Sequence, residues 1–319
     1  MAKPPLNSQK MTKTIQIVII DYPGALQSAV QGLKELFIFA NQIINQHQLD
    51  RQFVIDITQP ENAQLADIQE ADIVILPPNL AGSYYLYPEK QLLNLLCDVH
   101  KAGAIMCSTC AGAFILAQTG LLDGRSVTTH WQLADDFKKQ FPDIGLKIES
   151  LLINDGDIIS AGGLMSWIDL GLEIVARFTK PHIMRSLGKY LIVDTGKRQQ
   201  RYYGSFTPAF DHGNQPILQV QHYIQAHYHQ AFKMAELAAR ACMSERTFLR
   251  HFTEATSFKP LEYVQRFRVQ KACELLESGS QSFERISQQV GYEDVNTFRK
   301  LFIKIMGLTP TAFKERFAC

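Results

Sequence analysis

The chain is 319 residues long, which at roughly 100–200 residues per domain fits two domains, and it is 46% hydrophobic and 20% charged with a net charge of +1. That balance excludes a disordered polypeptide and a uniformly basic nucleic-acid coat, so any nucleic-acid surface has to be local. No apolar run approaches about 18 residues and the opening Met1 to Asn7 holds no apolar signal core, so a cytoplasmic protein without a membrane span is expected, its six scattered cysteines free thiols.

From Thr14 to about Lys180, short runs rich in β-branched residues alternate with helical stretches. The strand candidates are 15–20, 53–57, 72–76 and 104–107, each short and apolar. This alternation predicts an α/β domain, a parallel sheet covered by helices on both faces.

The fourth strand candidate runs into the turn Cys107-Ser108-Thr109-Cys110-Ala111-Gly112 ahead of a helix. Cys110 takes the nucleophile position of a Ser-x-Cys-x-Gly elbow, where small neighbours permit a strained turn and a helix starting at Ala111 is expected to lower the thiol pKa. Cys107 and Cys110 also spell C-x-x-C, read as coincidence because Cys107 ends a buried strand. Asp155-Gly156-Asp157 reads as a β-turn.

The segment from Cys107 through Leu121–Arg125 to Thr128-Thr129-His130-Trp131 resembles the PfpI-type branch of the class I glutamine amidotransferase-like fold, over roughly Thr14 to Lys180. The resemblance implies a flavodoxin-like α/β domain and a catalytic set that maps to Cys110, His130 and Asp155, with an acid near the end of the first strand to hold the thiolate. Ala29 stands at that acid's position. An incomplete set favours a retained fold that binds a ligand, with Cys110, His130 and Trp131 as ligand-binding residues and no catalytic residue. Two alternatives stay open. The three side chains are packing residues, or the chain is a cysteine hydrolase or glyoxalase-like enzyme with an accessory helical domain.

Residues 196–215 mix Gly and Pro with polar residues and the basic run Lys197-Arg198-Gln199-Gln200-Arg201. They mark a connector between a first domain at 12–195 and a second at 216–319. Its aromatics, Tyr202, Tyr203, Phe206 and Phe210, suggest packing against a neighbouring surface.

From Pro216 onward helical spacing takes over, as in Ile217, Val220 and Ile224, and the second domain is expected to be all-α. It carries fourteen Lys and Arg against ten Asp and Glu, a balance of +4, while the preceding residues balance at −3. The excess makes this domain the partner for a polyanion. It also repeats itself at an offset of about 50 residues: Thr247-Phe248-Leu249-Arg250-His251-Phe252 overlays Thr297-Phe298-Arg299-Lys300-Leu301-Phe302, and Ser257, Pro260 and Tyr263 overlay Gly307, Pro310 and Phe313. Each repeat reads as helix, tight turn, helix, with the phenylalanines inward. Between them, Pro260 to about Ser278 reads as one helix of roughly 28 Å, enough to place two recognition helices about one duplex turn, ~34 Å, apart.

This arrangement resembles the AraC/XylS family from about Pro216 to Phe317, and Gly291–Phe302 followed by Gly307-Leu308-Thr309-Pro310 carries that family's second-unit signature. The whole chain resembles the GlxA-type subgroup of that family, through Gly162–Leu172, Tyr202–Phe206, Asp211–Gly213 and Val220–Tyr223 as well. The resemblance implies a sequence-specific transcription regulator of double-stranded DNA. It also implies a homodimer, a small effector such as an amino acid or a quaternary amine, and contact with RNA polymerase if the protein activates. The expected base-reading residues are Arg246 and Arg250 in the first unit and Asn296, Thr297 and Lys300 in the second, with Arg299 and Lys304 on phosphates and Thr247 a further DNA-binding residue. No cofactor and no metal are expected, because His222, His227 and His229 lack zinc-ligand spacing.

Overall fold

A computed structural model of the protein describes residues 12–62, 68–196, 199–279 and 281–318. Met1 to Asn7, and Lys197 and Arg198 of the basic run, lie outside the described residues.

Strand β1 (Lys13–Ile20) buries Ile15, Ile17, Val18, Ile19 and Ile20 on both faces, as a strand in the middle of a helix-covered sheet must. Strands β3 (Ile73–Leu76), β4 (Ile105–Thr109) and β8 (Ile158–Ala161) are buried at every position, whereas β2 (Arg51–Thr58), at one edge, buries only Phe53 fully. At about 1.5–3 kcal/mol per buried Ile, Leu or Phe, these strands dominate the stability of the sheet. The order is β2-β1-β3-β4-β8-β7, parallel throughout except that β7 (Leu152–Asn154) runs antiparallel to β8. Two short strands, β5 (Ser126–Val127) and β6 (Gly145–Leu146), pair separately.

Helix α1 (Gln27–Gln46) buries Ala29, Val30, Leu33, Leu36, Phe37, Ala40, Ile43 and Ile44, an apolar stripe at helical spacing. It packs with α5 (Trp167–Phe178) and α6 (Pro181–Leu191), while α2 (Lys90–Lys101) packs with α3 (Gly112–Gln118); α4 (Ala134–Gln140) buries Phe137 edge-on to Phe114 of α3. The result is a doubly wound, flavodoxin-like sheet whose order reverses between β1 and β3, the place where such folds open a crevice at the carboxyl ends of their strands.

The helical part holds α7 (Gln215–Ala226), α8 (Met234–Arg240), α9 (Glu245–Thr256), α10 (Pro260–Glu277), α11 (Phe283–Gln289), α12 (Val295–Met306) and α13 (Pro310–Phe317). Five of these seven helices start where a short polar side chain caps them: Asn214 accepts from the Ile217 amide, Ser244 from Thr247, Ser282 from Arg285, Asp294 from Asn296 and Thr309 from Ala312. One core gathers Ile217, Ile224, Leu237, Phe248, Phe252 and Tyr263, and another Leu276, Ile286, Phe298, Phe302 and Phe313. Helix α10 feeds both, Tyr263 and Val264 into the first and Val269, Ala272, Cys273 and Leu276 into the second. The repeat extends to the caps, since Ser257 (φ +62°) and Gly307 (φ +75°) close α9 and α12 in the left-handed region.

The chain divides into two compact units between Gln200 and Arg201, so the stretch 196–215 is shared between them. Within the second unit, Phe206 meets Phe258 and Tyr263 edge-on, Tyr203 meets Phe317, and Phe210 stacks on His222 at 5.1 Å.

Candidate functional site

Strand β4 ends at Thr109, and the chain turns through Cys110 with φ +53°, a left-handed conformation that costs a non-glycine residue about 1–2 kcal/mol. Two bonds hold the turn: the Cys110 N–H donates to the Ala161 carbonyl at 2.9 Å, and the Cys110 carbonyl accepts from Thr129 Oγ1 at 2.7 Å. The elbow sits at the carboxyl ends of β4 and β8. Tyr22, just after β1, donates its hydroxyl to the Pro77 carbonyl at 2.7 Å, just after β3, and stacks on Tyr84 at 5.7 Å. Tyr22 and Cys110 are near enough that charge on the thiol raises the phenol pKa further, beyond what burial does.

The expectation of an acidified thiol is corrected. Burial pushes the Cys110 thiol up to about 11, and the Ala111 amide offsets only part of that. Helix α3 has seven residues, and its N-terminal field is outweighed by desolvation of the thiolate. Cys107 is a free thiol fully buried in β4, raised by burial further still.

His130 and Trp131 follow the Thr129 that holds the elbow; their rings stack at 5.5 Å and both are half-buried. His130 Nδ1 accepts the Gln132 N–H at 3.2 Å, and burial lowers the imidazole pKa, which keeps the ring neutral near pH 7. Among the described residues, no hydrogen bond joins the Cys110 thiol to His130.

Asp155 is not part of this site, which corrects its place in the inferred catalytic set. It lies in the turn ahead of β8 and pairs with Arg125 at 3.7 Å, whereas Cys110 is tied to Ala161 at the other end of the same strand. Four residues of strand separate the two ends by about 10 Å or more. The neighbouring Asp157 takes a bidentate grip from Arg125 at 2.6 and 3.0 Å and a bond from His100 Nε2 at 2.7 Å. Ala29 is fully buried in the first turn of α1, with no carboxylate to offer.

Sequence reasoning missed Gln200. It is 2% exposed, accepts the Trp131 N–H at 3.2 Å and donates to the carbonyls of Thr129 and Ile148, both at 2.9 Å. A lone glutamine in a polar run carries no signal that long-range contacts bury it.

In the helical unit, Arg246 and Arg250 of α9 and Asn296, Lys300 and Lys304 of α12 are exposed, at matching places in the repeat for Arg246 with Asn296 and Arg250 with Lys300. Arg250 lies 3.9 Å from Glu254, a loose surface pair that a phosphate or base edge can displace. Thr247 is half-buried, its hydroxyl bonded to Ser244 at 2.9 Å, and the Thr297 hydroxyl donates to Asp294 at 2.5 Å, so both threonines serve their helix caps. Arg299 reaches Glu284 at 3.4 Å and lies over the Phe283 ring at 5.6 Å. Among the described residues no group of three or more His, Cys, Asp or Glu is placed to hold a metal ion, and no helix is long and apolar enough to cross a membrane.

The fold and the site define a chain of two parts, a flavodoxin-like domain with a cysteine elbow followed by paired helix-turn-helix units. Residues 14–177 match the DJ-1/PfpI family and residues 237–316 match a helix-turn-helix domain family. The chain belongs to the DJ-1/PfpI family and carries an AraC-type helix-turn-helix domain after it. It is 26% identical over 221 residues to the HTH-type transcriptional regulator CdhR of Pseudomonas aeruginosa, covering 69% of this chain and 66% of that one. It is 25% identical over 207 residues to the HTH-type transcriptional regulator GlxA of Rhizobium meliloti, covering 65% of this chain and 64% of that one. These matches span just under two thirds of the relatives' lengths. A crystal structure of a candidate transcriptional regulator from Vibrio parahaemolyticus shares the fold over 56% of this chain and 100% of its own, with a TM-score of 0.50 at 20% identity.

Proposed function

We propose that the chain is a sequence-specific transcription regulator whose helical unit binds double-stranded DNA and whose α/β unit binds a small-molecule effector. The observation that carries this reading is the pair of capped helices, α9 and α12, with exposed Arg246 and Arg250 on one and Asn296 and Lys300 on the other, joined by the 18-residue α10. At 1.5 Å per residue α10 spans about 27 Å, close to the ~34 Å between successive major grooves on one duplex face. Arg246 and Arg250 read guanine edges, Asn296 and Lys300 read the second groove, and Lys304 and Arg299 hold phosphates.

The effector site in this reading is the region of Cys110, His130 and Trp131 at the carboxyl ends of the strands. Catalysis is not assigned to it: a nucleophilic thiol needs an activating base, and Cys110 is raised to about 11 by burial while His130 Nδ1 is committed to the Gln132 amide. The regulator works in the cytoplasm as a homodimer, in which effector binding changes the placement of two DNA-binding units, and an activator of this kind also touches RNA polymerase.

Fluorescence anisotropy of the full chain on DNA from upstream of its own gene and neighbouring operons, against scrambled DNA at about 0.15 M salt, tests the reading. Binding to one fragment at least about a thousandfold tighter than to scrambled DNA is the expected result. Equal weak binding everywhere overturns sequence-specific regulation and returns the weight to chemistry at the cysteine elbow.

A further inference from the structure

Gln200 closes the first unit and Arg201 opens the second. One peptide bond joins them, yet each is held by its own set of partners. The Gln200 side chain bonds three backbone groups, those of Thr129, Ile148 and Trp131, and its own N–H donates to the Glu149 carbonyl at 3.1 Å. Burying a primary amide is favourable only with such a full set of hydrogen bonds. The side chain fits because residue 162 is glycine, where a Cβ would lie 2.6 Å from Gln200 Nε2.

Thr129, which accepts from Gln200 through its carbonyl, is also the residue whose hydroxyl donates to the Cys110 carbonyl at 2.7 Å. Cys110, Thr129, Gln200 and Trp131 therefore form one hydrogen-bonded series. On the far side of the peptide bond, the Arg201 guanidinium donates to the Lys304 carbonyl at 3.5 Å and lies against Gly307, both in the last turn and cap of α12.

We infer that Gln200 is a positioning residue that relays the state of the Cys110–Trp131 site to the point where the chain enters the helical unit. A ligand that displaces the Thr129–Trp131 segment removes the groups that hold Gln200, and the chain at Arg201 is released with it. This rests on the effector site and DNA binding proposed above. An effector shifts the balance only by its different affinity for the held and released arrangements. The coupling is reciprocal, so DNA on the helical unit alters the hold on Gln200, and the test needs no effector.

The experiment uses the full chain and, as its ligand, a duplex enriched from a random library by the wild-type protein. Amide hydrogen exchange is followed in residues 128–131, with and without the duplex. In the wild type the duplex is expected to change exchange there by about fivefold, the lower end of common coupling factors. In Gln200→Met the free protein exchanges about tenfold faster at Trp131, whose N–H has lost its acceptor, and the DNA-dependent change vanishes while the duplex still binds. A merely structural role predicts the first of these effects and not the second. Gly162→Ala crowds the amide without removing a polar atom, and it too is expected to weaken the DNA-dependent change. If Gln200→Met does not fold, the wild type and Gly162→Ala decide the matter. A wild type that binds the duplex with unchanged exchange at 128–131, or a Gln200→Met variant that keeps the full change, overturns the relay. Failure to enrich any duplex over scrambled DNA overturns DNA recognition itself, and the relay with it.

Discussion

Arg268 Nη1 donates to the Gly291 carbonyl at 3.3 Å, a bond that ties the middle of α10 to the turn of the second helix-turn-helix unit. The same guanidinium donates from Nε to the Tyr228 carbonyl and from Nη2 to the Gln230 carbonyl, both at 2.6 Å, in the loop ahead of α8. It also stands 5.1 Å over the Tyr292 ring and is 9% exposed. One buried fork thus fixes the entry to the first helix-turn-helix unit and the turn of the second. Arg268→Met leaves three carbonyls without their donor and is expected to destabilise the helical unit by about 3 kcal/mol in urea unfolding. Arg268→Lys should recover less than half of that, because a single ammonium cannot serve three divergent acceptors. A loss below about 1 kcal/mol for Arg268→Met would show that water replaces the guanidinium.

The two turns of the repeat differ in one residue that matters. Gly291 has φ +85° and packs where a Cβ would lie 2.2 Å from the His229 carbonyl oxygen; Cys242, at the matching place in the first turn, has φ +55° and is exposed. Cys242 bears the left-handed strain that glycine avoids. Cys242→Gly is expected to stabilise the protein by about 1 kcal/mol and raise the thermal midpoint by about 3–6 °C. A lower midpoint would mean that the Cys242 side chain contributes more by packing than its backbone loses by strain.

Below the elbow, at the opposite end of the sheet, Arg125 holds the Asp157 carboxyl well below the usual carboxylate range. Its folded pKa is depressed, so this contribution is present above the unfolded value of about 3.9 and lost as pH falls toward the folded one. The Asp157 side chain is 45% exposed, which limits the pair to about 1 kcal/mol or less. Asp157→Asn should therefore cost less below about pH 4 than at about pH 5. Denaturant melts of both proteins between about pH 5 and 3 check it, and a difference that grows with acid over that range refutes the assignment.

The central sheet is legible in sequence because 15–20, 53–57 and 72–76 are rich in β-branched residues and 104–107 is a short apolar run, and they become β1 to β4 with boundaries shifted by one or two residues. Strands β7 and β8 have three and four residues, too few to show a period. The helical repeat is legible because identical core residues, Phe248 with Phe298 and Phe252 with Phe302, recur at one offset. The site is legible only in part. Distance along the chain does not say at which end of a strand a residue lies, so Asp155 looks like a partner of Cys110 until β8 is placed between them. The cost of burying a thiolate is set by tertiary packing, which the elbow's sequence does not contain.

That burial has a direct chemical consequence at Cys110. With its pKa at about 11, only about one thiol in a thousand is ionised at pH 8, and the group is shielded as well. Iodoacetamide at pH 8 should therefore alkylate exposed Cys242 at least about a hundredfold faster than Cys110, with the Cys110 rate climbing as pH approaches 11. Peptide mapping of the time course gives both rates. Rapid alkylation of Cys110 at neutral pH would reopen the enzyme reading.

Arg250 decides whether α9 reads sequence. Its guanidinium is exposed and its ion pair with Glu254 is long at 3.9 Å, so Arg250→Ala disturbs little of the free fold. If Arg250 grips a guanine edge, the substitution weakens binding to the specific duplex by about 1–3 kcal/mol and relaxes preference at one base pair, leaving affinity for scrambled DNA nearly unchanged. A phosphate contact behaves otherwise. It lowers both affinities alike and reduces the slope of log affinity against log salt by about one. Anisotropy titrations at several salt concentrations on both duplexes separate the two, and an equal loss on each would move Arg250 from base reading to backbone positioning.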